Sequence, residues 1–290
     1  MEYIEAKTIL SKLKNAPDSW FGITYNMNLY RGCQHQCIYC DSRSECYQIK
    51  DFSNIHVKEN ALKLLELELK RKKQKGTIGT GSMNDPYTPI ENQLELTRKS
   101  LEIISRYNFP VHIITKNSLV LRDIDLIKQI GNTYSAVSIT ITTASDELGR
   151  IIEPGASNSS ERFTALKTLA DAGIYCGVLL MPVLPFINDT TENIISIIEM
   201  AKKAGAKYLI GWMGMTLRDK QRDYYYEKLD NHFPGVKSNY LARYGNQYSI
   251  AVPDGIKLQS LFNSTCKEFG IATGMKFFEE NKPVQLDLFG

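Results

Sequence analysis

Asn28-Leu29-Tyr30-Arg31-Gly32-Cys33-Gln34-His35-Gln36-Cys37-Ile38-Tyr39-Cys40 gathers three of the chain's six cysteines into eight residues, with three and then two residues between them. Thiolates are soft ligands suited to zinc, copper(I) or iron-sulfur clusters, and this spacing lets one tight loop aim all three at a single centre. A closed zinc site or a fully ligated cluster takes about four protein ligands, so three leave one coordination position open for something else. A zinc knuckle completed by Cys46 or His35 is the other reading. Against it, Cys46 lies six residues beyond Cys40 and no second cysteine pair follows.

Outward from the loop, short strand-like runs alternate with helical ones. Ile23 to Tyr30 reads as the strand that delivers the cysteines, and Val57 to Lys75 as a helix with Leu62, Leu65 and Leu69 on one stripe. Thr77 to Ser82, Val111 to Thr115, Ala136 to Thr142, Ile174 to Met181 and Lys207 to Met213 read as five further strands. Between them lie a helix capped by Thr88 with Glu91, one opening at Asp123, one boxed by Asn158 and Glu161, and one started by Asp189 with Glu192. Six strand-helix repeats imply parallel pairing with right-handed crossovers. The expected fold is therefore α/β, a partial (β/α)6 TIM-type barrel over residues 1–216, whose ligands bind at the carboxyl ends of the strands. A doubly wound open sheet ranks second, because no glycine-rich dinucleotide loop follows the first strand. Residues 217–278 form a Tyr-rich helical extension. It holds a helix from Asp219 to His232, a loop with Tyr240, Tyr244 and Tyr248, and a last helix from Pro253-Asp254-Gly255 to Phe269.

Hydrophobic content of 43% and charged content of 23% are those of an ordinary globular chain able to bury a large core. A net charge of +3 announces no nucleic-acid partner by itself. The N-terminal residues lack an apolar signal core, and no run reaches the roughly 18 apolar residues of a membrane span, so a cytoplasmic protein with reduced thiols and no membrane partner is expected. Cys46, Cys176 and Cys266 are isolated and read as small buried hydrophobes, which argues against a second cluster. His35 and His56 have no ligand partner at close spacing and read as structural or exposed.

The cysteine loop, with aromatic Tyr39 just before its last cysteine, resembles that of radical S-adenosylmethionine (SAM) enzymes. The resemblance implies that Cys33, Cys37 and Cys40 hold a [4Fe-4S] cluster, that SAM chelates its open iron, and that an electron splits SAM into methionine and a 5′-deoxyadenosyl radical. Asp85-Pro86-Tyr87-Thr88-Pro89-Ile90-Glu91, Thr115-Lys116 with Arg122-Asp123, Glu153-Pro154-Gly155 and Pro182-Val183-Leu184-Pro185 narrow it to the spore photoproduct lyase-like branch, the radical-type DNA repair photolyases, over about residues 20–215. Spore photoproduct lyases carry a hydrogen-donating cysteine on the second strand. Here Thr80-Gly81-Ser82-Met83-Asn84 has no thiol, which points to a sibling reaction.

The same resemblance implies the SAM contacts. Ser82, Asn84 and Asp85 end strand two, where the amino group is met. Lys116 is placed for the carboxylate, Ser138 and Thr140 for ribose or carboxylate, and Tyr39 with Met181 or Trp212 to flank adenine. Arg122 and Asp123 orient the next helix, and no catalytic residue is assigned. The expected activity is hydrogen abstraction by a radical SAM enzyme, lyase-like, from a nucleic-acid lesion, with a reducing electron donor as partner. The alternatives are a radical SAM enzyme acting on a small molecule or peptide, and a non-catalytic zinc-binding interaction module. Within the tail, residues 279–290, Gln285-Leu286-Asp287-Leu288-Phe289 resembles the pentapeptide by which bacterial polymerases and repair proteins bind the DNA polymerase sliding clamp.

Overall fold

The computed structural model describes residues 1–14, 21–49 and 51–280. Its strands are β1 (Glu2–Ile4), β2 (Leu10–Lys12), β3 (Tyr25–Met27), β4 (Tyr30–Arg31), β5 (His56–Lys58), β6 (Ile78–Thr80), β7 (Val111–Thr115), β8 (Ser135–Thr140), β9 (Tyr175–Leu180), β10 (Tyr208–Gly211), β11 (Gly214–Thr216) and β12 (Ser249–Ala251). Its helices are α1 (Ala61–Arg71), α2 (Glu91–Leu94), α3 (Leu96–Arg106), α4 (Ile124–Gly131), α5 (Asp146–Ile152), α6 (Ser159–Asp171), α7 (Thr191–Lys203), α8 (Asp219–His232), α9 (Val236–Tyr244) and α10 (Gly255–Glu268).

Six strands pair in parallel and in chain order, β3-β6-β7-β8-β9-β10, with β2 antiparallel against β3. Among the described residues the sheet does not close on itself, and β10 and β2 are its edges. This is the partial-barrel order expected from the repeats. Every residue of β8 is buried, as a parallel strand covered on both faces requires. Val137 and Ile139 join the main core with Ile127 and Leu166 from the surrounding helices. Ser138, which the pleat turns the other way, bonds inside the barrel to His112 Nε2 and the Tyr208 hydroxyl, each at 2.7 Å.

Several boundaries differ from the sequence expectation, each where a distant partner overrides local pattern. The helix expected from Val57 begins at Ala61. His56–Lys58 is instead a strand, parallel to β1 and antiparallel to β4, so Tyr30 leaves the first barrel strand for this smaller sheet. The Thr88–Glu91 capping box does not form. Thr88 Oγ1 accepts from Gln34 N at 3.0 Å, and the Glu91 carboxylate turns inward to the Tyr30 hydroxyl, Thr97 N and Arg122. Glu95, at φ 52°, then breaks the expected helix into α2 and α3. Thr190 rather than Asp189 caps α7, its hydroxyl accepting from Asn193 N at 3.1 Å. The box at α6 does form on its Glu161 side, which accepts from Asn158 N at 2.7 Å.

The extension is built into the barrel. Tyr240 and Tyr244 lie on helix α9, where a loop was expected, and share one buried cluster with Tyr225, Leu229, Cys37, Ile38 and Tyr39. Leu258, Phe262 and Cys266 of α10 join the main core. The following segment straps the amino-terminal ends of the strands: Leu209 N donates to Ala272 O at 2.8 Å, Lys276 N to the Tyr175 hydroxyl at 2.8 Å, and the Tyr134 hydroxyl to Lys276 O at 2.6 Å. Among the described residues no helix is long and apolar enough to cross a membrane. The clamp-like pentapeptide, Gln285 to Phe289, lies outside the described residues.

Candidate active site

A cavity of about 340 Å³ opens at the carboxyl ends of the barrel strands. Cys33, Cys37 and Cys40 line it together, and so do Tyr39, Ser82, Asn84, Asp85, Lys116, Thr140, Met181 and Trp212. Of the residues expected at the site, Ser138 is the exception. It is fully buried, spent on His112 and Tyr208, and is absent from the lining, one strand position pair deeper than Thr140. Asp41, Met215 and Thr216 line the cavity without having been singled out from the sequence, and Thr115 and Pro182, quoted there only as marks of the resemblance, line it as well.

The cysteine loop is fixed by backbone contacts from distant segments. Ile38 N donates to Ile152 O at 2.9 Å and Gly155 N to His35 O at 2.9 Å, so the end of α5 and the Glu153-Pro154-Gly155 turn flank the loop. A Cβ on Gly155 would stand 2.0 Å from Gln34 O and 2.9 Å from His35 Cα. Gly155→Ala must therefore push the loop backbone aside. The expected result is a folded protein, by circular dichroism, that reconstitutes with well under half the wild-type iron; full iron loading would contradict this close approach. On the other side, Gln34 Oε1 accepts from Ile90 N at 2.7 Å, and Asp41 Oδ1 accepts from Thr216 Oγ1 at 2.8 Å and pairs with Arg218 Nε at 3.1 Å.

Asp85 is the hub beneath the loop. Its carboxylate accepts from Thr115 Oγ1 at 2.6 Å, Lys116 N at 2.6 Å and Tyr87 N at 2.9 Å, and lies 3.3 Å from His35 Nδ1. Burial alone would raise its pKa. The His35 charge and these donors outweigh burial and hold it at about 2. Burial likewise works against a charged His35, and Asp85 overrides it, raising the imidazole to about 10. His35 thus has the carboxylate partner that local spacing could not show, fifty positions away in the chain. The Cys33 thiol is pushed up by burial and pulled down further by His35, ending below its ordinary value. Cys37 and Cys40 are raised, chiefly by burial.

A second buried pair braces Tyr39. Its hydroxyl donates to Glu153, whose other oxygen lies 2.6 Å from Arg162 Nη1; Glu153 and Arg162 are each 1% exposed. Burial opposes the carboxylate, but Arg162 and Lys116 lower its pKa on balance. Lys116, half-buried, keeps its charge because Cys37, Glu153 and Asp85 counter the desolvation. The remaining motif residues support this arrangement from behind. Arg122 bridges Glu91 at 2.7 Å and Asp123 at 2.8 Å, Arg98 meets Asp123 at 3.1 Å, and Asp123 accepts from the Tyr87 hydroxyl at 3.1 Å. Arg122 and Asp123 therefore hold helices α3 and α4 to the turn after β6, as expected.

The remaining cysteines stand apart from the site. Cys176 and Cys266 are buried in the main core. Cys46, expected buried, is exposed: its sulfur contacts Ser44 Oγ at 2.9 Å and Arg218 Nη1 at 3.2 Å, and it does not line the cavity. The His56 ring pairs with Glu2 at 3.1 Å.

The chain is 29% identical over 247 residues to an uncharacterized protein of Mycobacterium tuberculosis, covering 82% of this chain and 72% of that one. It is 36% identical over 189 residues to an uncharacterized protein of Methanocaldococcus jannaschii, covering 64% and 70%. Over 129 residues it is 27% identical to a radical SAM Nalpha-GlyT isomerase of Pseudomonas phage M6, covering 44% of this chain and 26% of the isomerase. Spore photoproduct lyase complexed with dinucleoside spore photoproduct shares the fold at a TM-score of 0.66 and 16% identity, covering 92% of this chain and 78% of the lyase. A mutant of that lyase with bound AdoMet and dinucleoside spore photoproduct superposes equally well, at 0.66 with 15% identity and the same coverage. Residues 27–198, more than half of the chain, match the model of the radical SAM superfamily, and the chain belongs to that superfamily.

Proposed function

We infer that this protein is a radical SAM enzyme whose Cys33, Cys37 and Cys40 hold a [4Fe-4S] cluster and whose cavity binds SAM beside a nucleic-acid lesion. The observation that carries the inference is the convergence of all three motif thiols on one strand-end cavity. The donor set fits the cofactor pair. Asn84 Oδ1, buried at the cavity, has no hydrogen-bond partner among the described residues, and such an orphaned group calls for a ligand or water. When bound, the cluster and SAM supply the one-electron cleavage that yields methionine and a 5′-deoxyadenosyl radical.

The chain's own residues then bind and orient. Lys116 offers a cation to the SAM carboxylate, Asn84 and Ser82 offer acceptors to its ammonium, and Thr140 offers a hydroxyl to the ribose. Asp85 acts mainly as a clamp, since four contacts within the protein already occupy its oxygens. Met181, Trp212 and Tyr39 supply apolar walls that exclude water from a reactive radical. Anaerobic reconstitution with iron and sulfide, then dithionite and SAM, is expected to release 5′-deoxyadenosine. If none appears while bound zinc accounts for the thiols, the interaction-module alternative takes its place.

Nucleic acid is favoured over a small molecule or peptide by two supports. One is the likeness of the fold to a lyase solved with a dinucleoside photoproduct. The other is the sequence Gln285-Leu286-Asp287-Leu288-Phe289, in which two apolar anchors and a glutamine match a sliding-clamp peptide. Full-length protein is expected to bind purified clamp, and Leu288→Ala with Phe289→Ala to weaken that binding at least tenfold without changing SAM cleavage. Equal binding of both forms removes the clamp as partner. Steeply salt-dependent binding to DNA supports the substrate class, and flat, negligible binding returns the choice to small molecules.

A further inference from the structure

The small sheet that leads into the cysteine loop carries cations on one face. Register sets Arg31 of β4 opposite His56 of β5, with Glu2 of β1 opposite His56 on its other side. Residues two apart on a strand share a face, so Lys58 stands with His56 and diagonal to Arg31. Tyr30 and Val57 alternate with them and join the core, leaving Arg31, His56 and Lys58 half-buried. Glu2, the acid of this face, is taken by His56 at 3.1 Å and by Asn54 Nδ2 at 2.8 Å. Arg31 and Lys58 are held by backbone carbonyls instead. Arg31 Nη2 donates to Tyr47 O at 2.8 Å and Gln48 O at 3.4 Å, and Lys58 Nζ to Asn28 O at 2.7 Å. Among the described residues neither forms an ion pair with a carboxylate. Burial first, and the Arg31 charge second, lower the Lys58 pKa, with no acid to offset them.

This face adjoins the rim of the cavity. Arg31 lies two residues before Cys33. Asn28, whose carbonyl holds Lys58, accepts through its side chain from Ser82 Oγ and Met83 N, each at 3.4 Å, and both of those residues line the cavity. Two partly desolvated like charges repel, so one anion placed between them stabilises both. Arg31 spends a single terminal nitrogen on the carbonyls and Lys58 needs only one of its three ammonium hydrogens, so each keeps donors to spare. We propose that Arg31 and Lys58 form a phosphate site at the cavity rim, filled by a phosphodiester of the nucleic-acid strand whose damaged nucleotide enters the cavity. The proposal rests on the nucleic-acid reading above and assigns the strand to one side of the mouth. A guanidinium fork and an ammonium suit phosphate oxygens. Such contacts fix the register of a strand without reading its sequence, which leaves recognition of the lesion to the cavity.

The test follows binding of the full-length holoprotein to a fluorescein-labelled DNA duplex by anisotropy across a salt series. Arg31→Gln with Lys58→Gln is expected to bind at least tenfold more weakly than wild type at low salt. The slope of log affinity against log salt is expected to become shallower by about 1 for each cation removed. Lys203→Gln, which removes an exposed charge from α7, is expected to change neither. Iron content and circular dichroism matching wild type show that the cysteine loop is intact in the variant. Lys58→Gln alone, expected to weaken binding in the same direction, serves if the double variant loads iron poorly. Equal affinity and slope in wild type and variants overturn the proposal. So does a loss of inorganic phosphate binding, titrated in parallel, while DNA binding is kept, which would make this a site for free phosphate. Negligible DNA binding by wild type would instead overturn the nucleic-acid reading and the site's occupant with it, so the two failures are distinguishable.

Discussion

Cys37→Ala is expected to lose the visible absorbance of an iron-sulfur cluster and to reduce SAM cleavage to the background of the protein-free reaction. The same holds for Cys33→Ala and Cys40→Ala. The three thiols line one cavity and none of the other three does: Cys176 and Cys266 are enclosed in the main core, and the Cys46 sulfur contacts Ser44 and Arg218. With two thiolates left, the cluster would have two irons without a protein ligand rather than one. Replacing Cys46, Cys176 or Cys266 by Ala is expected to leave absorbance and cleavage in place. Iron content per chain checks both halves of this expectation, and near-normal loading of Cys37→Ala would refute the ligand assignment.

The second large effect is on stability. Glu153→Ala removes the only carboxylate paired with Arg162 among the described residues and leaves a guanidinium that is 1% exposed without that counter-charge. It also strips the Tyr39 hydroxyl of its acceptor. Breaking a buried pair on one side typically costs about 3–5 kcal/mol, because the remaining charge stays desolvated. Urea unfolding of the apo protein is expected to show a loss of that order, with cluster loading falling as Tyr39 loses its brace. Arg162 keeps bonds to Ser157 O at 2.7 Å and Thr140 O at 2.9 Å, which places the loss toward the lower end. A loss below about 1 kcal/mol, the scale of an exposed pair, would show that the pair is not buried as described.

The barrel was legible in the sequence because its signals are local. Alternating apolar runs gave β7 with its boundaries and β8 and β9 to within a residue or two, and helix-starting groups such as Asn158 with Glu161 marked where crossovers begin. The three thiols were legible for the same reason, being neighbours in the chain. What the sequence concealed is contact at long range. Nothing near His35 announces Asp85, and nothing near Tyr39 announces Glu153 or Arg162. Ser138 and Thr140 share one face of β8, so pattern alone could not tell which of them reaches the strand end and which is spent below it. Likewise Val57 and Lys58 read as the start of a helix until β1 and β4 supply the backbone partners that make His56–Lys58 a strand.

The account turns on a cluster held by three cysteines with one iron left open to SAM. Electron paramagnetic resonance of the reconstituted, dithionite-reduced protein, recorded with and without SAM, examines that iron directly. The prediction is a [4Fe-4S] signal whose line shape changes when SAM is added; a signal indifferent to saturating SAM, or no iron-sulfur signal beside stoichiometric zinc, would contradict it.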